Sequence, residues 1–296
     1  MGGSLRRIIN HPRTRFLRTL LIAAAVALSF GLAHKEARAQ FPFGGGGGGG
    51  RNFGSRSLPK RDIFPGSVFT FCTMEYNSVT REALGLGWST DFPDAGLNFM
   101  TRLAEMTTIQ ICREPNGEPH QETVRLTDEA LFGYPIIFSS DVGTLEFSED
   151  EVETLREYLL RGGFLHVDDF WGTPAWLQWE EQIGRVLPPD EYPIFDLPPN
   201  HPVYNIVFKI TEAPQVPSIQ WWSGSHSTSE RGSDSEFPHV RGIKDKNGRL
   251  MVIMTYNTDI ADGWEKEGEN REYFEEFSVK KSYPLGINIV VYAMTH

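Results

Sequence analysis

From about residue 65 onward, short continuous apolar runs alternate with stretches whose apolar residues recur every three or four positions. This is the pattern of buried strands separated by amphipathic helices. Val68-Phe69-Thr70-Phe71-Cys72-Thr73 is rich in β-branched and aromatic residues and predicts a buried strand. Asp94 then stands as the N-cap of a helix whose inner face carries Leu97, Met100, Leu103 and Ala104. Thr107-Thr108-Ile109-Gln110-Ile111-Cys112 predicts a second strand, closed by the turn Pro115-Asn116-Gly117. Pro135-Ile136-Ile137-Phe138-Ser139 reads as a third. Ser148 and Glu151 form a capping box ahead of Val152, Leu155, Tyr158 and Leu159, and Gly162-Gly163 ends that helix just before the strand Phe164-Leu165-His166-Val167. Strand, capped helix and strand in immediate succession predict a βαβ unit with parallel strands.

Further along, residues 174–187 predict a helix with Trp176, Leu177, Trp179 and Ile183 on its apolar face. Proline-rich loops follow at 188–202 and 214–217. Leu250-Met251-Val252-Ile253-Met254-Thr255 is a late buried strand introduced by the turn Lys246-Asn247-Gly248. The closing run 284–294 fits strand or helix, and Pro284 near its start together with its length favours helix. The predicted fold class is therefore α/β, a mainly parallel sheet flanked by helices, over residues 65–296.

Ahead of residue 65 this periodicity is absent. Basic residues from Arg6 to Arg18 precede the apolar run 20–28, and Ala37-Arg38-Ala39 supplies the small residues a signal peptidase needs, so a bacterial-type signal peptide is expected over residues 1–39, cleaved before Gln40. Ser29, Gly31 and His34 interrupt the apolar run, which is short for a membrane span. The expectation is a periplasmic or secreted protein that meets the membrane only through its export signal. Seven consecutive glycines, Gly44 to Gly50, followed by Arg51, Arg56, Lys60 and Arg61, make residues 40–64 a flexible tether. No strand precedes the glycines and no helix follows them, so they are no phosphate loop, and no cofactor is expected.

Composition narrows the partners. The chain is 40% hydrophobic and 12% aromatic, enough to bury a sizeable core. Residues 1–39 hold seven basic side chains and one acid, so a net charge of −11 becomes about −17 once they are removed. Such acidity excludes nucleic acid as a main partner through long-range repulsion. A small molecule or a periplasmic protein remains. The two cysteines, Cys72 and Cys112, fall in strand-like runs and are read as two buried thiols, with a disulfide as the alternative.

Several separated phrases resemble a known family. Tyr134-Pro135-Ile136-Ile137-Phe138, the stretch from Leu155 through Gly162-Gly163 to Leu165, and Val167-Asp168-Asp169 look like the bacterial family DUF4159, as do the late stretches from Asn257 to Trp264 and from Gly286 to Ala293. The family is similar in organisation to the class I glutamine amidotransferase-like fold and to ThuA-like proteins. The resemblance implies a flavodoxin-like sheet. In an amidotransferase a cysteine stands on the turn after the strand that here is Phe164 to Val167, whereas this turn reads Asp168-Asp169-Phe170-Trp171-Gly172, with neither cysteine nor serine. Thiol-based glutamine hydrolysis is not expected on that ground.

Open parallel sheets bind ligands beyond the carboxyl ends of their strands. That rule selects Glu75, Asp141 and Gly143, Asp168, Asp169 and Trp171, and Asn257 and Asp259 as ligand-binding candidates. Asp168 and Asp169 are the favoured pair, because adjacent carboxylates need water, hydrogen bonds or a cation between them. An oxygen-rich site for a hard divalent cation is one outcome; the plain alternative has Asp168 capping the next turn and Asp169 solvated. His166 alternates with apolar neighbours and reads as a core histidine. His226, behind Trp221-Trp222, is a candidate acid beside an aromatic wall. The expected function is a non-nucleophilic, amidotransferase-like binding or interaction domain, with a carboxylate- or metal-dependent hydrolase acting on a carbohydrate or related small substrate as the alternative.

Overall fold

The structure is a computed structural model that describes residues 68–82 and 84–296; the expected signal peptide and tether lie outside the described residues. In chain order its strands are β1 (Cys72–Glu75), β2 (Asn77–Ser78), β3 (Glu122–Arg125), β4 (Ile136–Ser139), β5 (Leu145–Glu146), β6 (Phe164–Val167), β7 (Phe195–Asp196), β8 (His239–Lys244) and β9 (Leu250–Tyr256). The helices are α1 (Asp94–Met106), α2 (Glu149–Leu160), α3 (Gly172–Val186), α4 (Ile219–Ser225), α5 (Asp262–Glu265), α6 (Arg271–Tyr273) and α7 (Tyr283–Thr295), with a π-helix over Phe274–Ser282 joining the last two. Seven strands make one sheet in the order β3-β1-β4-β6-β9-β8-β7. The first five are mutually parallel, and β8 and β7 extend it antiparallel. β2 and β5 pair separately as a short antiparallel ribbon.

Alternation along the strands builds two cores. On β4, Ile136 and Phe138 face one side and Ile137 the other; on β6, Phe164 faces the first and Leu165 and Val167 the second. Phe99, Met100 and Leu103 of α1 and Leu285, Ile287 and Ile289 of α7 cover the first face. Val152, Leu155 and Leu159 of α2 and Trp179, Ile183 and Val186 of α3 cover the second. A sheet buried on both faces explains why its central strands read as continuous apolar runs. Among the described residues no helix is long and apolar enough to cross a membrane.

The βαβ unit forms as its residues dictate. Ser148 Oγ accepts from Glu151 N (3.3 Å) and the Glu151 carboxylate accepts from Ser148 N (2.8 Å), the reciprocal capping box. At the other end Gly162 takes φ +114°, a backbone that would strain a larger residue.

Three expectations are corrected. Residues 107–112 contribute one bridge, Ile111 to Phe69, instead of a strand. Thr107 folds back onto Leu103 O through both its amide and its hydroxyl, which uses the chain to close α1. The edge place beside β1 is taken by β3, whose Glu-Thr-Val-Arg sequence buries only Val124 and so carries no apolar run. Asp94 is the first residue of α1 with Pro93 at the cap position and no side-chain cap; its carboxylate lies in the first turn, where the helix dipole favours it. The first strand starts later than expected, at Cys72, with Phe69 joined by its bridge alone. Both thiols are free, Cys72 buried and Cys112 half-buried.

Candidate carboxylate site

The strands β1, β4, β6 and β9 point the same way, so the segments after them emerge on one edge of the sheet. Strand order reverses at β1, which has β3 on one side and β4 on the other, and such a reversal opens a crevice at the carboxyl ends.

Asp168 ends β6 fully buried. Its Oδ1 accepts from Thr255 Oγ1 (2.6 Å) and its Oδ2 from Ala261 N (2.8 Å), so it ties β6 to the loop after β9. The Thr255 hydroxyl also meets His166 Nε2 (3.1 Å), and burial holds that imidazole neutral, with its pKa lowered to about 3. Asp168 is thus a structural tie. Asp168→Asn keeps an oxygen for Ala261 N but forces the Thr255 hydroxyl to accept from the new NH2 and donate to Val167 O (3.0 Å) alone, so the charge-assisted bond is lost and stability is expected to fall by about 1 kcal/mol, read as a lower urea midpoint.

Asp169 turns the other way. A left-handed backbone (φ 54°) carries its side chain into a cavity of about 150 Å³, where Oδ1 accepts from Trp171 Nε1 (2.8 Å). Asn257, also left-handed (φ 59°), accepts from Gly172 N (2.9 Å) and donates to Phe237 O (2.9 Å), pinning the start of α3. The edges of β6 and β9 are thereby stitched together.

The same cavity is lined by Asp141 after β4 and by Asp259 and Asp262 after β9; Glu82 and Asp91 reach it from the chain after β1, and Glu230 and Glu265 complete the ring. Two cations, Arg231 and Lys266, line it as well. Both are already paired, Arg231 with Glu82 (3.1 Å) and Glu230 (3.5 Å) and Lys266 with Glu265 (2.8 Å). Eight carboxylates therefore face two cations.

The electrostatic consequence is an excess of negative charge with little water to solvate it. Burial pushes the Glu82 carboxyl up to about 7 and Asp141 up to about 6, the latter against the opposing pull of Gly87 N–H and Arg231. Asp91, Asp169 and Asp259 are raised well above the usual carboxylate range, first by burial and then by the charge of neighbouring carboxylates, Asp262 foremost at Asp91, Asp91 at Asp169 and Asp169 at Asp259. Burial likewise raises Asp262, although Tyr273 Oη (2.8 Å) and Ile219 N (2.8 Å) both donate to its Oδ2.

Three of these acids form a tighter group. Asp91, Asp259 and Asp262 each offer an oxygen, and the three atoms lie within 4.8 Å of one another. An ion with bonds of about 2.4 Å sits between oxygens up to that far apart.

The candidates chosen on sequence divide accordingly. Asp141, Asp169, Trp171 and Asp259 line the cavity. Asp168 and Asn257 hold its frame from behind. Gly143 packs against α3, where a Cβ would come 2.4 Å from Ala175 Cβ. Glu75 turns to the sheet edge, accepting from Thr123 Oγ1 (2.6 Å) and pairing with Arg125 (3.3 Å). His226 is exposed at the end of α4 against Trp222, outside the cavity lining. The reading missed Glu82, Asp91, Glu230 and Glu265 and reached Asp262 only as the last residue of the segment Asn257 to Asp262. Asp91 and Asp262 carried a signal: one stands just before a helix that follows the first strand, the other closes the segment after the last.

Residues 70–294 match a family described as "Domain of unknown function (DUF4159)". No curated protein matches the chain. Among solved structures, the "mmIFT52 N-terminal domain" aligns at a TM-score of 0.36 with 14% identity, covering 77% of this chain and 98% of that one.

Proposed function

The chain belongs to the DUF4159 family, and from that premise we propose that its domain is an exported, cation-dependent binding domain. In it the strand-end carboxylates hold a hard divalent cation that meets the hydroxyl oxygens of a small molecule or of a periplasmic partner. The observation that carries this reading is the Asp91, Asp259 and Asp262 group, three carboxylates brought together in a buried crevice from two segments remote in the chain. Uncompensated buried charge is costly, and a bound cation relieves it. An all-oxygen donor set suits Ca²⁺ or Mg²⁺ better than a soft metal. With one such ion bound, carboxylates still outnumber Arg231 and Lys266, so anionic ligands are repelled and a neutral, hydroxyl-rich molecule such as a carbohydrate is favoured. Trp171 supplies an aromatic wall for it. The pattern of residues 1–39 supports export to the periplasm or beyond.

The finer fold assignment has similar support. Numbered in chain order, the five parallel strands read 2-1-3-4-5, the order of a flavodoxin-like sheet. On the turn where an amidotransferase would present its nucleophile, this chain presents Asp169 on a left-handed backbone. That placement favours a second reading, a hydrolase in which Asp169, oriented by the Trp171 indole, is the general base. Asp168 has both oxygens committed to the frame, which leaves Asp169 as the base.

Titrating metal-stripped protein with Ca²⁺ and Mg²⁺ in a calorimeter tests the first reading. Saturable binding of one ion is expected, with stabilisation of about 2.7 kcal/mol at a hundred times its Kd; no heat and no thermal shift with either ion overturns it. Turnover of a glycoside or ester panel, abolished by Asp169→Asn, would establish the second.

A further inference from the structure

Residues 84–93, between β2 and α1, form the outer wall of the carboxylate cavity. Leu84, Gly85, Leu86, Thr90 and Asp91 line it, while Leu84 and Leu86 remain 62% and 75% exposed on the opposite side. The segment is tied to itself. Thr90 N donates to Gly87 O (2.9 Å), Phe92 N to Ser89 O (3.2 Å) and Leu86 N to Thr90 Oγ1 (2.8 Å), so it can move as one piece. Left-handed backbone at Leu84 (φ 73°) and Asp91 (φ 64°) brackets it, a conformation a leucine adopts only at a cost.

Its attachments to the body are few: Trp88 packs half-buried against the second core, and at the α1 end Gln121 Nε2 donates to Pro93 O (2.7 Å). Gly87 N donates to Asp141 Oδ2 (2.8 Å), and Ser140 Oγ donates to Asp91 Oδ2 (3.3 Å). Gly85 rests directly on the same carboxylate, where a Cβ would come 2.4 Å from Asp141 Oδ2. A segment with exposed Leu84, Leu86 and Phe92, held between its ends by one half-buried tryptophan and by bonds to two adjacent residues, belongs to the less stable part of a fold.

One residue of this wall matters most. Asp91 is carried by the segment, whereas its neighbours Asp259 and Asp262 belong to the body. Without a cation the three carboxylates repel and push the wall outward; with one between them the same charges pull it in. We infer that residues 84–93 are a strap that swings off the cavity to admit ligand and is locked down when a cation draws Asp91 onto Asp259 and Asp262. The locking half rests on the cation reading above; the opening half does not.

Hydrogen exchange of the full chain, followed by mass spectrometry with and without Ca²⁺ or Mg²⁺, tests both halves. Cation-free, the strap amides of Gly87, Thr90 and Phe92 are expected to exchange at least about tenfold faster than those of β4. Exchange as slow as that of β4 overturns the strap. On adding the ion that calorimetry shows to bind, strap exchange is expected to slow by about tenfold while β4 is unchanged; binding without slowing overturns the lock and leaves the cation site standing. If neither ion binds, the cation reading and the lock fall together, and the cation-free comparison still decides whether the strap opens. Asp91→Asn, which leaves Asp259 and Asp262 in place, should weaken the lock without speeding exchange in β4.

Discussion

Cation-free protein is expected to melt at a higher temperature at about pH 5.5 than at about pH 8, the reverse of what paired surface carboxylates produce. Burial holds Glu82 at about 7 and Asp141 at about 6, above their ordinary values. The folded chain therefore binds more protons than the unfolded one between roughly pH 4.5 and 7, and stability must rise as pH falls through that window and be lost as it rises. Asp91, Asp169, Asp259 and Asp262 are shifted the same way and add to the effect. One pKa unit corresponds to about 1.4 kcal/mol, so a gain on the order of 3 kcal/mol, or about 6–12 °C for a domain of this size, is expected. Below about pH 4 the trend reverses, because Asp234, held low by Thr173, and Glu276, held low by Lys280, lose their partners on protonation. Differential scanning calorimetry at a series of pH values in chelator checks it. A melting temperature that climbs steadily from pH 5.5 to 8 would mean that the cavity acids are solvated and the site is not what its burial implies.

How much of this was legible in the sequence depends on how local the determining forces are. The βαβ unit was readable because its signals lie within a few residues of what they control: Ser148 and Glu151 cap the helix they precede, and Gly162 ends it. The strand β3 was not, since Glu122 to Arg125 owes its place to the open edge of β1 and not to its own burial. The same holds for 107–112, whose β-branched residues promised a strand that the closing turn of α1 pre-empted.

The site divides along the same line. Asp141, Asp169 and Asp259 follow strands directly, and a rule about strand ends found them. Asp169 and Asp168 are neighbours in sequence with opposite fates, because a left-handed residue redirects the second carboxylate while the first stays in the strand's own hydrogen-bonding frame. Glu82, Asp91 and Glu230 arrive on loops, where position in three dimensions is set by anchors such as Gly87 on Asp141 that no local pattern announces. His226 misled for the converse reason: an aromatic neighbourhood is visible in sequence, but the left-handed end of a short helix turns it to solvent.

Asp259→Asn separates a binding carboxylate from a structural one by the sign of two measurements. Asp259 is 3% exposed and lies among the charges of Asp169, Asp91 and Asp262. Its Oδ1 accepts from Asp262 N (2.8 Å), a bond an amide oxygen can also accept. The substitution thus keeps the protein contact, removes one buried negative charge and offers an NH2 to the acids that remain. Cation-free protein should gain about 2 kcal/mol at pH 8. The affinity for the divalent ion, by contrast, should fall about a hundredfold or more, since one of three ligand oxygens is replaced by a neutral donor. Asp168→Asn, on an equally buried carboxylate, carries the opposite stability sign because both of its oxygens hold the frame together. A destabilised Asp259→Asn protein that still binds the ion at parental affinity would place Asp259 among the structural ties and remove it from the site.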